Sequence, residues 1–226
     1  FLPVYNEEAT VQKVILATKN VLQEVAEEWE LIIVNDGSTD SSPELIRELA
    51  GSEKRIRIVT HRVNEGYGAS IASGLYESRY PWIAFTDSDG QFNFAEILNF
   101  IDKQKETNAD LVIGYYKKRQ VSFFKKITSK LWELTVFVLF GLKVRDVDCG
   151  FKLISKKVID TIPHLESKRG AFISSELLIK SKKSGFKITE VPITHYPRTK
   201  GIGTGRNLNV IIKSFMDLLK LWKKLR

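Results

Sequence analysis

The chain has very little cysteine. Cys149 is the only one among 226 residues, so an intrachain disulfide and a zinc site built from several cysteines are both excluded. This usage suits a reducing compartment. Cys149 itself is expected to be a small buried apolar side chain rather than a nucleophile.

Long apolar segments are also missing. No apolar run approaches the roughly 20 residues that a helix needs to cross a bilayer, and no secretory signal pattern is present. The chain starts Phe1-Leu2-Pro3-Val4-Tyr5 without an initiator methionine. This start resembles a strand entered midway, so further residues are expected upstream.

Two familiar phosphate-binding patterns are absent as well. The sequence has no P-loop, and Gly66-Tyr67-Gly68 is a poor dinucleotide fingerprint. The third glycine is missing, and the segment follows the third predicted strand rather than the first.

What the chain does contain is an excess of positive charge. Lys and Arg number 35 against 27 Asp and Glu, which gives a net charge of +8. This balance favours anionic partners: nucleotides, phosphates, nucleic acid or an acidic membrane surface. No repeat, low-complexity tract or linker interrupts the chain, so residues 1–226 are expected to form a single domain.

Strand and helix patterns alternate through the first half. Predicted strands cover 30–34, 55–60, 82–86 and 110–114, and predicted helices cover 7–25, 66–78 and 94–106, with another beginning near Asp40. The alternation predicts an α/β fold with a mostly parallel central sheet and helices on both faces. Ligands of such sheets bind outside the carboxyl ends of the strands, so Tyr5-Asn6, Asp36 and Asp87–Asp89 should share one rim.

The second half contains three amphipathic helical patterns, at 122–142, 172–184 and 207–226. Each combines an apolar face with lysines. One interpretation packs the apolar faces on the core. The other lays 122–142 and 207–226 on a membrane interface, with lysines meeting anionic lipid.

Asp87-Ser88-Asp89 is the most informative motif, because it directly follows the apolar run at 82–86. Two carboxylates one residue apart can face a common point once the chain leaves the sheet. Such a pair binds a hard divalent cation. The alternative is a solvated turn.

Five segments together resemble glycosyltransferase family 2, whose members are inverting enzymes with the GT-A fold. The match is closest to the dolichyl- and polyprenyl-phosphate sugar synthases, and it extends from residue 1 to about Arg206. In order, the segments are Pro3-Val4-Tyr5-Asn6-Glu7-Glu8, Asn35-Asp36-Gly37-Ser38-Thr39-Asp40, Asn64-Glu65-Gly66-Tyr67-Gly68, Asp87-Ser88-Asp89-Gly90-Gln91 and Asp148-Cys149-Gly150-Phe151-Lys152.

The resemblance implies a donor site for a GDP- or UDP-linked sugar and a Mg²⁺ or Mn²⁺ ion. Asp89 is expected as metal ligand, Asp87 on metal or ribose, and Gln91 as a third oxygen ligand. Asp36 can accept from a base N–H or a ribose hydroxyl, or instead form an Asx turn. Glu7 is a nucleotide-side acid or complements a helix dipole. The expected nucleotide-binding residues are Pro3, Tyr5, Glu7, Asp36, Asn64, Gly68 and Asp87.

On the acceptor side, a sugar hydroxyl needs a general base, whereas a lipid phosphate needs cations. Many hydroxyl-acceptor members carry Glu-Asp after Gly-Phe-Lys, but this chain has Ser174-Ser175-Glu176 without the Asp. The phosphate-binding arginines of the resembling synthases match Arg119 and Lys130, although Lys offers no bidentate fork. Arg198 and Arg206 flank a glycine-rich segment at 201–205.

These observations predict an inverting, metal-dependent transferase that moves a sugar to a polyprenyl or dolichyl phosphate at the cytoplasmic face of a membrane. The protein would be peripheral there, or anchored by segments outside this chain. One alternative is transfer to a glycan hydroxyl; a nucleotidyltransferase is another, but its signature loop is missing after the first strand. Nucleic-acid binding is disfavoured because the rim is acidic.

Overall fold

The computed structural model describes residues 1–117, 123–168, 170, 172–197 and 208–225, without the side chains of 123–128 and 208–214. Two hydrogen-bonded sheets organise these residues. The first is parallel, in the order β1 (Leu2–Val4), β2 (Leu31–Asn35) and β3 (Ile56–Thr60). It carries the rim on which the Asp36 segment lies.

The second sheet has the order β4 (Trp82–Phe85), β6 (Lys152–Ser155), β5 (Leu111–Tyr116) and β7 (Ile188–Ile193). Strand β6 runs antiparallel to both β4 and β5, whereas β5 and β7 are parallel. The Phe1 ring stacks on Phe85 with centroids 5.1 Å apart, so β1 and β4 lie side by side.

Eight α-helices are described. They are α1 (Val11–Val25), α2 (Ser42–Ser52), α3 (Tyr67–Glu77), α4 (Ile97–Thr107), α5 (Phe123–Phe140), α6 (Lys156–Thr161), α7 (Phe172–Lys183) and α8 (Leu208–Lys224), with a 3-10 turn at Phe94–Glu96 before α4. None of the helices in the described ranges combines the length and apolar character that crossing a bilayer requires.

Strand β2 shows why helices cover both faces of the first sheet. Its side chains alternate between two cores: Ile32 and Val34 join the cluster that includes α3, whereas Leu31 and Ile33 join the cluster beneath α1 and α2. A five-residue strand that is apolar at four positions in a row is therefore buried on both sides. The expected α/β architecture with a mostly parallel sheet is confirmed.

Two expectations need correction. The helix predicted from Glu7 begins at Val11, because residues 7–10 form a turn whose Thr10 and Val11 amides donate to the Glu7 carbonyl at 3.0 and 2.8 Å. Glu7 therefore does not lie in a first helical turn. Strands β6 and β7 were also not expected from the sequence.

Candidate active site

Asp87 follows the carboxyl end of β4, and its carboxylate lies between Tyr67 and Gly150. The Tyr67 hydroxyl donates to Asp87 Oδ1 at 2.9 Å, and burial beside this carboxylate raises the pKa of Tyr67 well above its usual value. On the other side, a Cβ on Gly150 would lie 2.4 Å from Asp87 Oδ2. Tyr67 and Gly150 together fix where the carboxylate points.

Ser88 ties this turn to β1. Its hydroxyl donates to the Pro3 carbonyl at 2.6 Å, and both residues are buried. Pro3 therefore contacts the motif through its backbone, inside the strand. The next residue, Asp89, is half-buried and accepts from the Gln91 amide at 3.0 Å.

Gln91 connects the motif to the segment after β7. Its Nε2 donates to the Tyr196 carbonyl at 2.9 Å, and the Tyr196 amide donates back to the Gln91 carbonyl at 2.9 Å. Because the amide nitrogen is used in this way, Oε1 is the Gln91 atom that can ligate a cation. The neighbouring His195 ring packs against Phe92 and Tyr116.

Glu7 lies on the same rim as the Asp-Ser-Asp motif. Thr10 bridges the two, since its hydroxyl contacts Glu7 Oε2 at 3.2 Å and the Ser88 carbonyl at 3.0 Å. Tyr5 is 46% exposed beside them. The structure thus brings together two of the segments that the sequence places at strand ends, the one containing Tyr5 and Glu7 and the Asp-Ser-Asp motif.

Asp36 is buried and already holds several donors. Its oxygens accept from the amides of Glu65 at 2.9 Å and Gly66 at 2.8 Å, and His61 Nδ1 lies 2.7 Å from Oδ1. The Asx-turn alternative falls instead to Asn35, whose Oδ1 accepts from the Ser38 amide. The His61 side chain is 10% exposed.

Gly68 is needed for close packing between α3 and the loop before α7. A Cβ there would lie 2.3 Å from the Ser167 carbonyl oxygen, and the Ala69 amide donates to the Lys168 carbonyl at 2.8 Å. The loop before α7 therefore presses on the first turn of α3. Asn64 is exposed in the preceding loop.

Glu176 is 2% exposed in the interior of α7. Its oxygens accept from the amides of Glu166 and Ser167, both at 2.9 Å. Lys180 donates to the same carboxylate and to the His164 carbonyl, both at 2.6 Å. This carboxylate therefore anchors the loop at 164–167.

Lys152, the last residue of the fifth family-like segment, is a buried cation for which the sequence predicted no role. Its Nζ donates to the Cys149 carbonyl and lies 3.2 Å from Ser174 Oγ, above the Phe85 ring. Burial lowers the pKa of Lys152. Cys149 is buried as expected, and burial raises the pKa of its thiol to about 12.

The expected phosphate-binding cations are described only in part. Lys130 is exposed on α5. Arg119, Arg198 and Arg206 lie outside the described residues. Within the described part of the chain, no three His, Cys, Asp or Glu side chains converge to hold a metal ion.

Comparison with known proteins now decides the family. The model of glycosyl transferase family 2 matches residues 1–162, more than half of the chain. The chain belongs to glycosyl transferase family 2.

Curated relatives of this family-2 chain include enzymes named for lipid phosphates. Dolichyl-phosphate beta-glucosyltransferase ALG5A of Trichomonas vaginalis is 30% identical over 97% of this chain and 71% of its own length. Dodecaprenyl-phosphate galacturonate synthase of Rhizobium johnstonii is 28% identical over 97% and 64%. Undecaprenyl-phosphate 4-deoxy-4-formamido-L-arabinose transferase of Salmonella choleraesuis is 30% identical over 88% and 60%. The chain thus spans between three fifths and about seven tenths of these relatives.

Solved structures confirm the GT-A fold of the glycosyltransferase. Glucosyl-3-phosphoglycerate synthase of Mycobacterium tuberculosis, in complex with Mn²⁺, UDP and phosphoglyceric acid, has a TM-score of 0.70 and 20% identity, covering 99% of this chain and 76% of that one. The same enzyme with Mg²⁺ and UDP has a TM-score of 0.67 and 19% identity, covering 96% and 76%. At these identities the likeness establishes the fold alone.

Two residues at the site of this glycosyltransferase were missed by sequence reasoning. Tyr67 lies between the two glycines of the Gly66–Gly68 segment, and the start of α3 at this residue brings its hydroxyl to Asp87. His61 gave no signal, because its partners Asp36 and Ser73 are 25 and 12 residues away along the chain.

Proposed function

We propose that this enzyme transfers a sugar from a nucleoside-diphosphate donor to a polyprenyl or dolichyl phosphate. Family membership supports the reaction class, and the names of the relatives support the acceptor class. The donor would lie along the acidic rim at the carboxyl ends of β1, β2 and β4, which is where ligands of α/β sheets bind.

The donor-side residues fit a Mg²⁺ or Mn²⁺ ion. Asp87, Asp89 and the Gln91 amide supply hard oxygen atoms, and a cation of this kind is commonly held by one or two carboxylates together with substrate phosphates. When bound, such a metal would stabilise the nucleoside diphosphate as it leaves. The Tyr67 hydroxyl and the packing at Gly150 hold Asp87 in place for this purpose.

The contacts of Glu176 favour a phosphate acceptor over a hydroxyl acceptor. A sugar hydroxyl must lose a proton to a general base, and the segment around Ser174-Ser175-Glu176, after Gly-Phe-Lys, is where hydroxyl-acceptor relatives are expected to provide it. In this chain the Glu176 carboxylate is engaged by two amides and by Lys180 in the interior. A phosphate acceptor needs no base, because it already carries the nucleophilic oxygen as an anion.

The exposed apolar side chains of α5 and α8 support the proposal that the lipid acceptor lies next to these two helices. The buried side of α5 includes Trp132 and Val136, while other apolar side chains of the two helices are 47–69% exposed. These exposed side chains are Leu131, Leu134, Phe137 and Val138 on α5 and Met216 and Leu219 on α8. With Lys130, Lys220 and Lys223 exposed nearby in sequence, these helices have the composition of a surface that meets anionic lipid.

A donor screen with a short-chain polyprenyl phosphate tests the proposal. Release of nucleoside diphosphate from one of several UDP- or GDP-sugars is expected only when the lipid phosphate and a divalent cation are both present. Arg119→Ala should lose most activity, since a desolvated phosphate would lose a bidentate partner; the exposed Lys157 gives a matched Lys157→Ala control. If the enzyme accepts a soluble sugar in place of the lipid phosphate, and Arg119→Ala has near-normal activity, the proposal is wrong and the enzyme is a glycan transferase.

A further inference from the structure

We propose that His61 is a positioning residue of the donor site and acts through Asp36. The inference rests on the proposed donor class, a nucleoside-diphosphate sugar. In this proposal His61, which lies outside the family-like segments, keeps the loop at 63–66 and the first turn of α3 in place against the acidic rim.

The His61 ring is held at both nitrogens. Nδ1 lies 2.7 Å from Asp36 Oδ1, and Nε2 lies 2.9 Å from Ser73 Oγ. Because an ionised carboxylate only accepts hydrogen bonds, Nδ1 carries the proton that points to Asp36. The His61 amide also donates to the Asn35 carbonyl at 2.9 Å, so backbone and ring are both fixed next to β2.

Asp36 passes this constraint to the following loop. The Glu65 amide shares Oδ1 with His61, and the Gly66 amide uses Oδ2. A carboxylate has about four acceptor positions, and the described contacts use three of them. Asp36 therefore shapes the loop directly, whether or not it also reaches the nucleotide.

The loop in turn sets the start of α3. Gly66 has a φ of 103°, a conformation that favours glycine, and the helix begins at the next residue. That residue is Tyr67, whose hydroxyl holds Asp87. The sequence of contacts thus runs from Ser73 and His61 through Asp36 to Gly66, Tyr67 and the Asp-Ser-Asp motif.

There is little room for this loop to adjust by itself. Gly37 follows Asp36 with a φ of 66°, and a Cβ there would lie 2.5 Å from the Val63 carbonyl carbon. Since the two loops touch backbone to backbone, a change in the position of Asp36 displaces residues 63–66 as well. Loss of the His61 ring removes the side-chain donor that aligns the carboxylate.

Calorimetry with UDP and with GDP, each in the presence of Mn²⁺, tests the proposal on the whole chain. His61→Leu should bind the nucleotide that the wild type binds about tenfold more weakly, the effect of losing one hydrogen bond to a charged group. His61→Asn can place an amide N–H near the Nδ1 position and should recover to within about threefold. Hydrogen exchange should rise at the Glu65 and Gly66 amides in His61→Leu.

His164→Leu is a matched control, because His164 also packs on α3, where its ring stacks on Tyr76 at 4.5 Å, but it lies apart from the Asp36 contacts. Its nucleotide affinity should equal that of the wild type even if its melting temperature falls. Equal affinity in His61→Leu and the wild type would overturn the inference alone. A wild-type protein that binds neither UDP nor GDP would overturn the proposed donor class and the inference together.

Discussion

Two acidic regions of this molecule are built in opposite ways. At the rim, Asp89 is half-buried, and one oxygen accepts from the amide two residues ahead. In α7, Glu176 is 2% exposed, and its carboxylate accepts from two amides and a lysine. The Asp89 carboxylate thus stays half-buried at the rim, whereas the Glu176 carboxylate is fully engaged inside the fold.

An acidic residue at the position expected for a general base therefore need not act as a base, because its contacts determine what it can do. Glu176 lies where a base would be expected in hydroxyl-acceptor enzymes, yet its contacts join α7 to the loop that presses on α3. The two acidic regions are thereby mechanically linked, because the same loop packs against Gly68. Because Asp89 is half-buried at the rim and Glu176 is engaged in the interior, substitutions in the two regions should nevertheless fail in different ways.

The clearest separation between loss of activity and loss of stability is expected at Asp89. Asp89→Ala removes one of the proposed hard ligands and should lower the rate of transfer by about 10²-fold or more with little change in melting temperature. Chelation of the divalent cation should do the same to the wild type. Asp160→Ala is the control, since Asp160 is an exposed carboxylate of α6 that pairs with Lys156; full activity in excess EDTA would sink the idea.

Glu176→Gln should show the opposite behaviour. Breaking a buried ion pair by neutralising one partner costs about 3–5 kcal/mol of stability, and Lys180 would keep a charge with only carbonyl contacts in the interior. Chemical denaturation should reveal this loss, whereas kcat per folded molecule should change little.

A double variant decides whether that loss is structural. Glu176→Gln with Lys180→Met removes both charges, so much of the stability should return. If the double variant is stable but its kcat is strongly reduced, and the pH–rate profile of the residual activity has lost its acidic limb, Glu176 acts as a base and the lipid-phosphate assignment fails.

The first half of the fold could be predicted because its strands are short apolar runs closed by turn residues. Strand β2 reads Leu-Ile-Ile-Val-Asn before Asp36, and buried parallel strands have this pattern. Strand β6 offers only Leu153 and Ile154 between lysine and serine, so no periodicity marks it. Strand β7 contains Pro192, which argues against a strand in sequence but is tolerated because β7 is at the sheet edge.

The site was predictable to the extent that its residues are adjacent in sequence. Asp87, Asp89 and Gln91 belong to one segment, and the rule for strand ends brings them to Glu7. The engagement of Asp36 by His61, and of Glu176 by residues 166 and 167, depends on loops packing across the fold. Local sequence patterns contain no information on such contacts.

Tyr67→Phe should have a smaller effect than the changes above. It removes the hydroxyl that donates to Asp87 but keeps the ring in place. Substituting a residue that hydrogen-bonds to a metal ligand usually weakens metal affinity by tenfold or more. The Mn²⁺ concentration for half-maximal activity should therefore rise about tenfold. Tyr76→Phe is a matched control on α3, because its hydroxyl accepts from the Leu165 amide instead; an equal response in both variants would exclude a role through Asp87.

The smallest effect is expected at the exposed apolar side chains of α5, which the proposed function places next to lipid. Leu134 is 56% exposed on α5, and partial burial of a leucine in a lipid interface contributes about 1 kcal/mol. Leu134→Asp should therefore weaken binding to vesicles of anionic lipid by about fivefold in a flotation assay. Leu98→Asp is the control, because Leu98 is 51% exposed on α4. Binding of the wild type should fall at high salt, since lysines contribute to it; equal weakening by both variants would mean that the exposed apolar face of α5 is not what meets the membrane.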